Sequence, residues 1–296
     1  MATIYIGVIL LMRVVQALLG KRSSNEIKNG YILTRYVTLS NFISAILGLI
    51  LIFIEGKGFQ ASPLTVIIAA FSGITLFFSS FFSTYAMKSG TISLNSMFST
   101  AGMLVPLIAG IFLFGEPIRP MQWAGVGVFM ISACLLIGSS KDIFNGFSIK
   151  TFFLLIGSML ANGGTMLAQQ MFTSYVPDGN ITVFSFLSFG IIALLTHITS
   201  FFMGRHKEAV GETKDKLSKT LIICAFFLAV AVFVINQLAT LSTALVSPVI
   251  LFTFINGGGT IISTIVAAIV YNERLTKKSV AGVVLGIISL VIVKMF

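Results

Sequence analysis

The stretch Ala267–Lys294, A-A-I-V-Y-N-E-R-L-T-K-K-S-V-A-G-V-V-L-G-I-I-S-L-V-I-V-K, occurs twice in this chain. Its other copy, Ile111–Ile137, reads I-F-L-F-G-E-P-I-R-P-M-Q-W-A-G-V-G-V-F-M-I-S-A-C-L-L-I. Placing Glu273 on Glu116 sets an offset of 157 residues (273 − 116). At that offset Ala281-Gly282-Val283 falls on Ala124-Gly125-Val126, Ile288-Ser289 on Ile131-Ser132, and Gly259 on Gly102. Each copy is the end of an apolar helix, a short turn with one Glu, and a second apolar helix opened by Ala-Gly. One copy closes the first half of the sequence and the other the second, which predicts two similar halves.

The rest of the 296 residues agrees with a membrane setting. The chain is 56% hydrophobic and 9% charged, with a mean hydropathy of +1.03. A soluble domain carries about 25% charged residues. A helix that spans the bilayer needs about 20 apolar residues, and the hydropathy pattern predicts ten of them. Their expected ranges are 2–20, 30–54, 62–87, 91–114, 120–138, 148–173, 180–203, 217–241, 244–271 and 278–296. Five helices per half is an odd number, so two tandem halves must sit in the membrane with opposite orientation. The expected fold is therefore an all-α membrane protein with ten transmembrane helices as two inverted five-helix repeats. This places a shared cavity near the bilayer midplane.

Arg13 interrupts the first apolar run and no basic region precedes it, so the first helix is expected to stay as a span rather than act as a cleaved signal. Cys134 and Cys224 both fall inside apolar runs and read as small core residues, not a disulfide framework. The net charge of +10 reads as basic loops beside an anionic leaflet. No nucleic-acid motif accompanies it, so no nucleic-acid partner is expected.

The ten-helix plan, the five-helix repeats and the doubled hairpin resemble the drug/metabolite transporter superfamily, in its EamA-like branch. The carriers are Gly115-Glu116 with Ala124-Gly125, and Asn272-Glu273 with Ala281-Gly282. The resemblance divides the chain into a first EamA-like repeat over 1–140 and a second, inverted one over 148–296. It implies a secondary transporter of small organic metabolites that alternates between inward- and outward-open states. It also implies a cavity lined by the first four helices of each half.

Polar groups in hydrocarbon are costly, so those inside spans are candidate substrate ligands. Arg13 lies eight residues before Lys21, about 12 Å along a helix, and Gln16 shares its face. Asn162, Thr165 and Gln169 form a polar stripe on the sixth span, and Asn236 gives a shorter signal on the eighth. The fourth and ninth spans are repeat mates. The fourth presents Asn95, Ser99, Gly102 and Pro106, and the ninth Asn256, Gly259 and Ser263, with a kink expected at Pro106. Interhelical hydrogen bonding is the competing role for the amides, and close helix packing for the small residues, as in Gly282-x-x-x-Gly286. Arg35, near a helix end, reads as snorkelling to the interface. Glu116 and Glu273 read as helix-start caps.

All nine acids fall in loops or at span ends. A site with Arg13 and amides but no embedded carboxylate suits an anionic, zwitterionic or neutral polar solute better than a cation. The only two histidines are His197 and His206. With no His/Cys/Asp cluster, G-x-S-x-G or phosphate-binding loop, an enzyme is not expected, nor a cofactor or metal. The expected partners are a small-molecule substrate and the lipid bilayer, with the chain acting as a monomer or homodimer. A channel or a non-transporting membrane scaffold is the alternative.

Loop charge sets the expected orientation in the cell membrane. The loops after odd-numbered helices carry fourteen Lys and Arg residues, against Lys57, Arg119 and Lys294 on the other face. The positive-inside rule then puts the odd-numbered loops in the cytoplasm and both termini outside. Family habit is the reverse, with basic residues before the first helix and after the second and both termini inside. Here those places hold Met1-Ala2-Thr3 and Glu55-Gly56-Lys57-Gly58. A C-terminal tag is expected to be accessible from outside intact cells; accessibility only after permeabilisation would reverse the orientation.

Overall fold

The computed structural model describes every residue except 57, 89–91, 116–117, 138–147, 210–215, 271–275 and 296. Among the described residues the regular structure is entirely helical. The spans are α1 (Ala2–Ser24), α2 (Gly30–Glu55), α3 (Pro63–Lys88), α4a (Ile92–Ala101), α4b (Leu104–Phe114) and α5 (Pro120–Ile137). They continue as α6 (Ile149–Tyr175), α7 (Ile181–Ala209), α8 (Lys219–Thr243), α9a (Pro248–Thr253), α9b (Gly259–Val270) and α10 (Lys277–Met295). A π-helical turn, Phe254–Gly258, joins α9a to α9b. Nine described spans are long and apolar enough to cross a membrane, counting 97–114 and 248–270 as single spans, and Pro120–Leu135 is a shorter apolar helix. The starts of α2, α6 and α8 are capped by Asn29, Ser148 and Ser218, whose side chains accept from the N–H groups of Ile32, Thr151 and Leu221. The turns that hold Glu116 and Glu273 lie outside the described residues.

The fourth span is broken at Gly102 and Met103, not at Pro106 itself. A proline has no N–H, and its ring displaces the carbonyl four residues earlier. For Pro106 that carbonyl belongs to Gly102, which accepts from Val105 N instead, at 3.0 Å. The kink therefore appears one turn before the residue that causes it. The ninth span has no such proline, and there the disturbance takes the form of the π turn.

The break is covered from the other half. A Cβ on Gly163 of α6 would lie 2.3 Å from the Gly102 carbonyl oxygen, and one on Gly102 would lie 3.0 Å from Gly163 N. The backbones of α6 and the fourth span thus touch at two glycines. In the same way α1 crosses the π region, where Gly258 faces Leu10 and Gly259 faces the Arg13 stem.

The two hairpin helices pack on each other. Ser132 Oγ donates to Gly282 O at 2.6 Å, and Ser289 Oγ donates to Gly125 O at 2.9 Å. Moving forward from Gly125 to Ser132 on α5 moves backward from Ser289 to Gly282 on α10, so these helices run antiparallel. A Cβ on Gly125 would meet Val293 at 2.7 Å, and one on Gly286 would meet Ile261 at 2.5 Å, so both glycines serve close packing. The most extensive of the other pairings are α2 with α7, α3 with α6, α1 with α8, α3 with α7, and α2 with α8. Exchanging each helix for the one five places away returns these same five.

Cys224 is buried beside Ile32 and Tyr36, as expected for a core residue, but Cys134 is exposed, its Sγ donating to Met97 Sδ of α4a at 3.6 Å. Both thiols are free. Arg35 lies over the Tyr31 ring, 5.7 Å from its centroid, and Lys207 lies over the same ring at 5.8 Å.

Because Gly163 meets backbone, Gly163→Ala is expected to destabilise the fold by about 1–3 kcal/mol through overpacking. A Cβ on Gly127 would meet nothing within 4 Å, so Gly127→Ala is expected to be neutral or stabilising, by up to about 1 kcal/mol. Thermal melting of the two variants in detergent checks the contrast, and equal melting temperatures would refute it.

Candidate functional site

The chain's ionised group deepest in a span is Arg13, and the structure places it on the wall of a cavity of about 300 Å³. Arg13 and Gln16 come from α1, Ser99 from α4a, Asn162 from α6, Asn256 from the π turn, and Thr260 and Ser263 from α9b. Five of the nine candidate ligands (Arg13, Gln16, Ser99, Asn162 and Asn256) therefore share one cavity although they are up to 243 residues apart (256 − 13).

Local chemistry fixes each of them. Arg13 Nη1 donates to Gln16 Oε1 at 3.0 Å, one turn along α1. The Arg13 Nε is enclosed and has no hydrogen-bond partner, and among the described residues no carboxylate lies within ion-pair distance of this guanidinium. Its stem lies on Gly259, where a Cβ would come within 3.3 Å of Arg13 Cγ. Asn162 Nδ2 donates to the Ser99 carbonyl at 2.7 Å, one turn before the break in the fourth span. Asn256 Nδ2 donates to Phe252 O at 2.9 Å across the π turn. Among the described residues no donor meets the Oδ1 of either amide. The cavity thus combines a cationic donor with neutral acceptors and hydroxyl groups.

The other candidates lie elsewhere. Asn95 is buried one turn before Ser99, its Oδ1 enclosed and unpartnered, and it is not on the cavity wall. Thr165 Oγ1 and Thr75 Oγ1 are 3.1 Å apart, joining α6 to α3. Gln169 Nε2 donates to Asn236 Oδ1 at 2.8 Å, joining α6 to α8. Those three residues sit in interhelical hydrogen bonds. Ala17, Thr100 and Thr260 also line the cavity. Nothing in the sequence singled them out beyond being next to Gln16, Ser99 and Gly259.

The wall residues on α1 and α9b run from mid-span as far as Ala17 and Ser263, towards the α1–α2 and α9b–α10 connections, so the cavity lies on the odd-loop side of the span centres. On the other side it stops at an apolar cluster that includes Ile9, Met103, Leu107, Phe129, Leu251, Phe252 and Ile255.

Residues 4–138 match the model of the EamA-like transporter family, which belongs to the drug/metabolite transporter superfamily. No curated protein matches the chain. A solved structure, titled only as the crystal structure of a protein, is 16% identical and covers 99% of this chain and 96% of its own, with a TM-score of 0.78. At that identity the likeness is one of fold, and it extends over both halves.

Proposed function

We propose that this chain, whose residues 4–138 match the EamA-like transporter family, is a secondary transporter of the drug/metabolite type that carries a small organic metabolite by alternating access. In this reading residues 1–140 and 148–296 are two inverted five-helix repeats. The antiparallel contact of α5 with α10, and a helix pairing that survives exchange of the halves, support that arrangement.

Arg13 carries the substrate assignment. A guanidinium inside a span, in a cavity and without a carboxylate partner, is the arrangement that a carboxylate or phosphate on the solute completes. A zwitterion adds donors that the Asn162 and Asn256 oxygens accept, and a neutral polar solute is also served. A cation gains nothing from Arg13. A volume of about 300 Å³ lies at the lower end of the roughly 300–1,000 Å³ usual for ligand pockets, which suits a small metabolite.

The position of the cavity supports alternation. Ser99 and Asn256 are mates at the offset of 157 (256 − 99). Arg13 and Asn162 are mates by packing, since each sits where the first helix of one half crosses the disturbed fourth helix of the other. A cavity lined by both members of two such pairs lies where the halves meet. The apolar cluster then acts as the closed gate. With the odd-numbered loops cytoplasmic, this conformation is inward-open. The site is complete within one chain, so a monomer suffices.

The test is a thermal-shift screen of the purified protein against metabolites grouped by charge, beside Arg13→Ala and the more conservative Arg13→Gln. Anions or zwitterions are expected to raise the melting temperature with concentration, equivalent to about 2.7 kcal/mol at a hundredfold excess over Kd. Both variants are expected to lose that response. Stabilisation by cations that persists in both variants would overturn the assignment.

A further inference from the structure

A second cavity, of about 390 Å³, lies on the opposite face, that of the even-numbered loops. Its wall includes Leu107 of α4b, Arg119 and Gln122 at the start of α5, Ser247 and Val249 at the start of α9a, and Lys294 at the end of α10. We propose that it is a second anion-binding site, for a carboxylate or phosphate group. It would be the station at which the solute of the Arg13 cavity meets the other side of the membrane. Its place on a transport route rests on the carrier reading above; its anion binding does not.

Charge is the first argument. The even-numbered loops and adjoining helix ends carry three basic residues, Lys57, Arg119 and Lys294. Loop topology does not require basic residues on that face, yet two of the three line this one cavity. Gln122 adds a neutral donor. It is 8% exposed, its Oε1 accepts from Arg119 N at 3.1 Å, and its Nε2 group carries the donors.

Another cavity of this face, about 480 Å³, has the opposite character, with Glu55 and Asp178 on its wall. There Glu55 accepts from Thr182 Oγ1 at 2.6 Å and from Asn180 Nδ2 at 3.1 Å. An anion arriving at this face is repelled from one opening and attracted to the other.

Alignment is the second argument. One apolar cluster bounds both the Arg13 cavity and the Arg119–Lys294 cavity. Ile255 belongs to the cluster and lines the first; Leu107 and Val249 belong to it and line the second. Along the ninth span, Val249 and Ile255 are six residues apart, about 9 Å of helix. The two basic sites thus border one apolar cluster, which would have to open during transport.

Ser247 offers a reporter, because it is exposed and its hydroxyl makes no cap hydrogen bond. Ser247→Cys protein in phosphatidylcholine nanodiscs is treated with a sulfonate-bearing or a trimethylammonium-bearing methanethiosulfonate. Labelling of the introduced thiol is followed by peptide mass spectrometry, so the native cysteines stay in place. The anionic reagent is expected to be favoured on the order of tenfold over the ratio measured with free cysteine. Arg119→Gln with Lys294→Gln should bring the ratio close to that of free cysteine, whereas Lys57→Gln should leave it intact. Inorganic phosphate should slow labelling, and lose that effect in the double variant.

Absence of an anion preference, or a preference indifferent to the double substitution, overturns the proposal. So does labelling blocked by phosphatidylglycerol in the nanodisc but untouched by phosphate, which assigns the cavity to a lipid headgroup. Arg13→Ala, run in parallel, is expected to leave the labelling ratio unchanged. The central-site reading and this one therefore fail on separate measurements.

Discussion

Backbone carbonyls cannot be left unpaired in hydrocarbon, and the rest of this architecture follows from how two interrupted spans meet that constraint. Pro106 removes a donor inside the fourth span, and the carbonyls released around Gly102 have to be satisfied by protein. Val105 N takes the Gly102 carbonyl and Asn162 Nδ2 takes that of Ser99. The first bond stays within the span, but the second needs another helix at contact distance, and Gly163 of α6 lies against Gly102. Asn162, which bonds the Ser99 carbonyl beside the break, also lines the cavity, so the break and one side of the site share a residue.

The second interrupted span meets the same constraint by a different route. Its π turn keeps most of the ladder and shifts it, and Asn256 bonds back to Phe252 O. The helix that crosses it, α1, brings an arginine where α6 brings an asparagine. Gly259 leaves room for that longer side chain, as Gly102 leaves room for a backbone. Equivalent positions in the two halves therefore carry different chemistry on similar geometry. The contact of α5 with α10 is more nearly identical on its two sides. There the same residue types, Ser and Gly, repeat in both helices and form reciprocal bonds.

Much of this could be read from the sequence, and the exceptions have physical reasons. The span boundaries emerge because hydropathy changes sharply at the membrane surface. The fourth span was expected to run unbroken over 91–114 with a kink at Pro106, but proline acts on the carbonyl four residues earlier, so the break falls at Gly102. The hairpins align at an offset of 157, but the loops between earlier helices differ in length. Arg13 and Asn162 are therefore mates at a separation of 149 (162 − 13), which no common offset reveals. The stripe of Asn162, Thr165 and Gln169 was legible as polar, but not its division of labour. Along α6 the neighbour changes from α4a to α3 to α8, so one stripe supplies a cavity residue and then two interhelical bonds. Periodicity gives the face of a helix, not what that face meets.

The charge on one side only has a consequence for any closed form of the site. An isolated buried guanidinium is too costly to persist unless it is paired or hydrogen-bonded. In this conformation Arg13 lines a cavity on the odd-loop side of the apolar cluster. In the proposed cycle a closed form of that cavity would need a partner for it. No carboxylate lies mid-span anywhere in the sequence, and Gln16 can occupy only part of the guanidinium's donor set. The remaining partners are a group carried by the solute, or carbonyls freed where the fourth and ninth spans are interrupted. Both come to the same point in the membrane, because the interruptions and the arginine share one cavity. In the proposed carrier the guanidinium would therefore act as a test of occupancy as well as a ligand: closure over a filled cavity would keep it paired, and closure over an empty one would leave the helix breaks to supply what is missing.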